Sequence, residues 1–123
     1  MARRLAWFEI PVTDMDRAKV FYEDVFNIEI NVHDFGGVLM GWFPQTESEI
    51  AASGSLIKQS SYVPSKEGTL IYFACEDVAT EIGKVEKAGG KVYQKKTKIS
   101  EEYGYMAVFV DTEGNRIALH SQK

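Results

Sequence analysis

The chain repeats itself, and the repeat limits the folds open to it. The segments WFEIPVTDMDRAKVFYEDVFN, from Trp7, and LIYFACEDVATEIGKVEKAGG, from Leu70, follow one plan at an offset of 63 residues. That offset lays Asp14 on Asp77, Phe8, Ile10 and Val12 on Ile71, Phe73 and Cys75, and Asn27 on Gly90. Each copy reads as a strand, an acidic cap, a helix, and a residue tolerant of positive φ at the helix end. Met15, Ala18, Tyr22 and Val25 recur at three and four residues, as do Val78, Ile82, Val85 and Ala88. That spacing predicts one apolar helical face in each copy.

Further strand candidates follow each helix. They are IEINV, GGVLMGWF and SGSLIK in the first half, and KVYQ, GYMAVFV and RIALH in the second. Gly37 then matches Gly104, and Trp42 matches Phe109. The turn before the last strand, DTEGN, has the acidic and glycine residues that turns favour. The chain therefore reads as two βαβββ modules, about 1–60 and about 68–123, in a single domain spanning 1–123. Residues 44–66 hold the linker between them. A unit of this size does not bury its own apolar face, so the two must pack together. The expected fold is α+β: two tandem βαβββ modules forming a curved mixed β-sheet cup, with helices on the outer face.

Composition narrows the function. A chain of 123 residues with a net charge of −4 does not have the basic face of a general nucleic-acid binder. The charge is uneven: residues 1–63 carry five basic and nine acidic side chains, and residues 64–123 carry nine of each. The one basic cluster, KVYQKKTK, reads as a lysine-guarded edge strand and loop. No apolar run approaches the ~20 residues of a membrane span, and MARRL lacks the apolar stretch of a secretory signal. The single cysteine, Cys75, fits a reducing cytoplasm. No glycine-rich phosphate loop joins a strand to a helix.

Strand alternation assigns the faces. Phe8, Ile10 and Val12 go under the first helix, which turns Trp7 and Glu9 into the cup. Ile71, Phe73 and Cys75 go under the second, leaving Leu70 and Tyr72 facing the cup. In the last strand Ile117 and Leu119 are helix-facing, and Arg116, Ala118 and His120 are cup-facing. An acid, an imidazole, a phenol and an indole among apolar walls make a ligand-site mixture. His33 reads as a surface histidine and Cys75 as a small core residue. Parity leaves Trp42 open between cup wall and core.

The sequence resembles the vicinal-oxygen-chelate superfamily, which includes glyoxalase I, bleomycin-resistance proteins, fosfomycin-resistance enzymes and extradiol dioxygenases. The resemblance covers essentially the whole chain and rests on PVTDMDRAKVFYEDVF, KVEKAGGKV and DTEGNRIALHS. It implies paired βαβββ modules, a homodimer, and in catalytic members one divalent metal held in the cup by His, Glu or Gln. The matching positions here are Trp7, Leu70 and Ala118, with Ser55 at best a poor ligand in the first module. None of the first three has a metal donor, so no cofactor is expected. A divalent metal stays possible through a displaced pair, Glu9 and His120, although catalytic zinc centres usually have three protein donors.

Two functions are then open. One is a protein of the bleomycin-resistance kind, binding a small molecule through Trp7, Tyr72, Trp42, Ser55 and Leu70. The other is a glyoxalase-like lyase or isomerase in which Glu9 and His120 move protons next to a carbonyl, with or without a metal.

Overall fold

The computed structural model describes residues 5–45 and 53–123. Strand β1 (Trp7–Pro11) leads into helix α1 (Met15–Phe26), then β2 (Asn31–Phe35), β3 (Val38–Trp42) and β4 (Ser53–Lys58). The second module repeats the order with β5 (Tyr72–Ala74), α2 (Val78–Ile82), β6 (Lys91–Ser100), β7 (Gly104–Val110) and β8 (Arg116–Ser121). The strands form two four-stranded mixed sheets of identical topology, β1-β4-β3-β2 and β5-β8-β7-β6. In each sheet the first strand runs parallel to the last, and the other pairings are antiparallel. This is the expected α+β arrangement of two βαβββ modules, with open rather than closed sheets.

Local chemistry accounts for the helices. Asp14 and Asp77 are the N-caps, their carboxylates accepting from the amides of Arg17 and Ala79. Asn27 ends α1 in the left-handed region at φ 54°. In the second module the left-handed residue is Gly89 (φ 107°), one position before the Gly90 that the repeat suggested. Gly90 instead permits a close approach. A Cβ there would come within 2.7 Å of the Val110 carbonyl and 2.8 Å of the Phe21 ring. The second helix is also shorter than its periodicity predicts. Regular structure stops at Ile82, and Gly83 begins a run of turns through Gly89. Val85 is nevertheless fully buried, so the apolar face continues beyond the helix.

The helix-facing sides of both sheets share one core, built from Ile10, Val12, Phe21, Tyr22, Val25, Leu56, Val78, Phe109, Ile117 and Leu119 among others. Phe21 and Tyr22 of α1 meet Phe109 of β7, at centroid distances of 5.7 and 6.4 Å. Here the paired assignment of Trp42 and Phe109 fails. Phe109 is core, whereas Trp42 pairs with Ser55 on the opposite side of its sheet.

The DTEGN turn clasps the modules together. The Glu113 carboxylate accepts from the amides of Thr13 and Asp14, the Thr13 hydroxyl and the Arg17 guanidinium at 2.7–3.0 Å. Asp111 accepts from the Tyr22 hydroxyl at 2.6 Å, and Asn115 donates to the Pro11 carbonyl at 2.7 Å. Burial pushes the Glu113 carboxyl up, but Arg17 and the two amides outweigh it and bring it down to about 2. The basic KVYQKKTK stretch is strand throughout, with no loop. It lies in edge strand β6, whose register shifts against β7 in three places.

Candidate functional site

The sheets leave two open sides away from the helices. On the first, register places Glu9, Ser55, Trp42 and Asn31 in one row across β1, β4, β3 and β2. A neighbouring row holds Pro11, Ile57, Met40 and His33, and Trp7 stands opposite Ser53. The aromatic groups touch. Trp7 and Trp42 make an edge contact at 6.0 Å, His33 lies 4.4 Å from Trp42, and Phe35 lies 6.2 Å from it. Trp42 is thus a wall of the open side. His33, read from sequence as a surface residue, is half-buried against that wall.

Two polar groups in the Glu9 row have no partner among the described residues. Ser55 is fully buried and its Oγ makes no hydrogen bond; the buried Trp42 Nε1 makes none either. Buried polar atoms are nearly always satisfied, and leaving one unmade costs about 1–3 kcal/mol. Two unsatisfied donors therefore lie just beneath the aromatic wall, beside the exposed Glu9 carboxylate.

The open side of the second sheet is built from Tyr72, Ala118 and Val108 in one row and Ala74, His120 and Met106 in the next. Ala118 is fully buried, as is Ser55 at the matching place in the other module, and Tyr72 is 54% exposed. His120 is half-buried, and its Nε2 lies 2.6 Å from the Tyr103 carbonyl. A carbonyl only accepts, so Nε2 is the donor, and Nδ1 makes no hydrogen bond among the described residues. Arg116, in the same strand, has a buried Nε without a partner among the described residues.

Among the described residues, Glu9 and His120 form no ion pair or hydrogen bond with each other. They stand on separate sheets joined by no strand pair. Leu70 falls before β5, outside regular strand, and lines a cavity at the β1 and β5 edges together with Tyr72, Phe73 and Ala74. Cys75 is a free thiol, pushed up to about 12 by burial and then by the nearby Glu81 carboxylate. It is a neutral core group and not a nucleophile.

The donor set does not suit the divalent metal of catalytic relatives. Trp7, Leu70 and Ala118 carry no ligating atom, and Ser55 has only a neutral hydroxyl. The described residues hold no group of three or more His, Cys, Asp or Glu placed to hold an ion. No helix among them is long and apolar enough to cross a membrane. The row through Ser55 escaped the sequence reading, because parity assigns faces while only register shows which side chains on a face are neighbours.

The profile of the Glyoxalase/Bleomycin resistance protein/Dioxygenase superfamily matches residues 4–119. A glyoxylase-like domain-containing protein of Didymella fabae is 28% identical over 122 residues, covering 94% of this chain and 91% of that one. The solved structure of UcmS2 superposes with a TM-score of 0.72 at 24% identity, covering all of both chains. That of TnmS3, an antibiotic binding protein from Streptomyces sp. CB03234, superposes at 0.68 and 20% identity, covering 99% of this chain and 98% of that one. At these identities the two structures establish a shared fold.

Proposed function

Because this chain belongs to the glyoxalase/bleomycin-resistance/dioxygenase superfamily, we propose that it binds a small organic molecule on the open sheet faces without the divalent metal of its catalytic relatives. The observation that carries this reading is the row Glu9–Ser55–Trp42. Its two buried donors lack partners among the described residues, and the positions that the resemblance matches to metal ligands carry Trp7, Leu70 and Ala118. A planar ligand lies against Trp7 and Trp42. A carbonyl or ring acceptor on it reaches the buried Ser55 hydroxyl and Trp42 indole N–H once the side chains covering them move aside, and a cationic or N–H group faces Glu9. The fold shared with an antibiotic binding protein agrees with such a role.

The working unit under this reading is a cytoplasmic homodimer. Trp7 and Tyr72 are 36% and 54% exposed in the single chain. They begin β1 and β5. A second copy facing these two residues brings the open face of one module opposite that of another and closes the cup. Glu9 and His120, which do not meet within one chain, then have a route to a common site.

A second reading, a glyoxalase-like lyase or isomerase, draws on the His120 geometry. The Tyr103 carbonyl fixes the imidazole with Nδ1 making no hydrogen bond among the described residues, as a base acting next to a carbonyl requires. Solvent deuterium appearing next to the carbonyl of a bound ligand, and lost in His120→Ala, supports the enzyme. Binding with no exchange supports the binding protein.

A further inference from the structure

A separate cavity opens where the edges of β1 and β5 face each other. It measures about 730 Å³ and lies at the free edges of β1 and β5. Four phenylalanines line it: Phe8 from β1, Phe26 from α1, Phe43 after β3 and Phe73 from β5. Their rings touch in a continuous wall. Phe73 lies 5.5 Å from Phe8, 4.9 Å from Phe26 and 5.5 Å from Phe43, and Phe8 lies 5.6 Å from Phe43.

One charged residue lines this apolar space, Glu81 of α2. Its Oε1 is buried and makes no hydrogen bond among the described residues, its carboxylate has the neutral Cys75 thiol beside it, and no lysine or arginine of those residues pairs with it. The ion pairs nearby go elsewhere, Lys96 to Asp77 and Lys123 to Glu76. Core packing explains the phenylalanines. It does not explain an unpaired carboxylate oxygen at the wall of a space this large, since a buried charge calls for a partner.

We propose that this cavity is a second ligand site, distinct from the Glu9–Ser55–Trp42 row, and that it takes an amphipathic ammonium, a cationic nitrogen on an apolar body. Two features of the cavity select that chemistry. Glu81, half-buried at the wall, supplies the counter-charge. The phenylalanine faces attract a cation electrostatically and bury its hydrocarbon body. A carboxylate ligand meets Glu81 as a like charge, and a neutral alcohol gains only a hydrogen bond.

The test is an NMR titration of the full chain with three probes of equal length: octylammonium, 1-octanol and octanoate. Octylammonium should shift the amides of Phe73, Ala74 and Glu81, leave the Trp7 and Trp42 indole N–H signals in place, and bind at least about tenfold more tightly than 1-octanol. Glu81→Gln should abolish that tenfold preference. Equal affinity for octylammonium and 1-octanol overturns the proposal. So do shifts confined to the indole signals, no shift at millimolar probe, or a preference that survives in Glu81→Gln. If Glu81→Gln does not fold, the three-probe series on the unaltered chain decides. Because Trp7 and Trp42 report on the open face, failure here is distinguishable from failure of the small-molecule site proposed above.

Discussion

Ser55 lies between Glu9 and Trp42 in a single cross-strand row, fully buried, with its hydroxyl making no hydrogen bond among the described residues. Ala118 holds the matching place in the second module, also fully buried, with a methyl group instead. The pair contrasts a polar position with an apolar one in otherwise matching strands. A buried hydroxyl with nothing to bind is a cost to folding, so its presence needs a reason outside stability.

Ser55→Ala should therefore leave the protein equally stable or raise its stability by up to about 1–3 kcal/mol, the cost of an unmade buried hydrogen bond. Small-molecule binding should weaken in the same variant. Denaturant melts and a binding assay on one preparation check both. A large loss of stability would mean that Ser55 has an internal partner.

The last strand separates core from site by alternate residues. Ile117 is 3% exposed on the helix side, and His120 is half-buried on the open side. Ile117→Ala should destabilise by about 2–5 kcal/mol. His120→Ala should cost only about 1 kcal/mol, the worth of its bond to the Tyr103 carbonyl. Binding or turnover should respond in the opposite order, with His120→Ala and Glu9→Gln the damaging changes. Thermal melts and binding measured together read the order.

Acid should loosen the clasp between the modules. The Glu113 carboxyl is held at about 2 in the folded chain, against about 4.3 in an unfolded one. A depressed acid stabilises fully above its unfolded value, and that contribution is lost as pH falls toward 2. Glu113→Gln should flatten the stability profile across this window and cost on the order of 2–3 kcal/mol at neutral pH, as charged hydrogen bonds to Arg17, Thr13 and Asp14 are lost. Urea melts of both proteins from pH 5 to pH 2.5 measure it. Parallel profiles would contradict the role given to Glu113.

Metal should be dispensable. Protein purified without chelator should hold well under one equivalent of zinc, nickel, manganese or iron by elemental analysis, and dialysis against EDTA should leave its melting temperature unchanged. One tightly held equivalent, lost in Glu9→Gln or His120→Ala, would move the reading to the enzyme.

Much of this fold was legible because both modules carry it in local signals. Asp14 and Asp77 cap helices, Gly37 and Gly104 take positive φ in matching hairpins, and parity put Ile117 and Leu119 under the helices. The failures come where tertiary packing overrides the repeat. Gly83 interrupts the second helix although Val85 and Ala88 keep its period. Gly90 is needed for close approach to Phe21, so the left-handed turn falls on Gly89. Trp42 and Phe109 match in the repeat but face opposite sides of their sheets. The site was less legible than the fold. Glu9 and Trp42 could be named, but their meeting through Ser55 depends on the register of β4, which follows a linker without periodicity. The cavity between the β1 and β5 edges was invisible for a different reason: every phenylalanine around it reads as ordinary core.

The central claim is that the Glu9–Ser55–Trp42 row holds a small organic molecule without metal. Its most direct measurement is a fluorescence titration of EDTA-dialysed protein with planar aromatic ketones and amines, read at the two tryptophans. At least one of them should quench saturably, with affinity lowered about tenfold or more in Ser55→Ala and Glu9→Gln and unchanged on adding zinc or manganese. Quenching that emerges only after a divalent metal is restored, or that is indifferent to both substitutions, would contradict the claim.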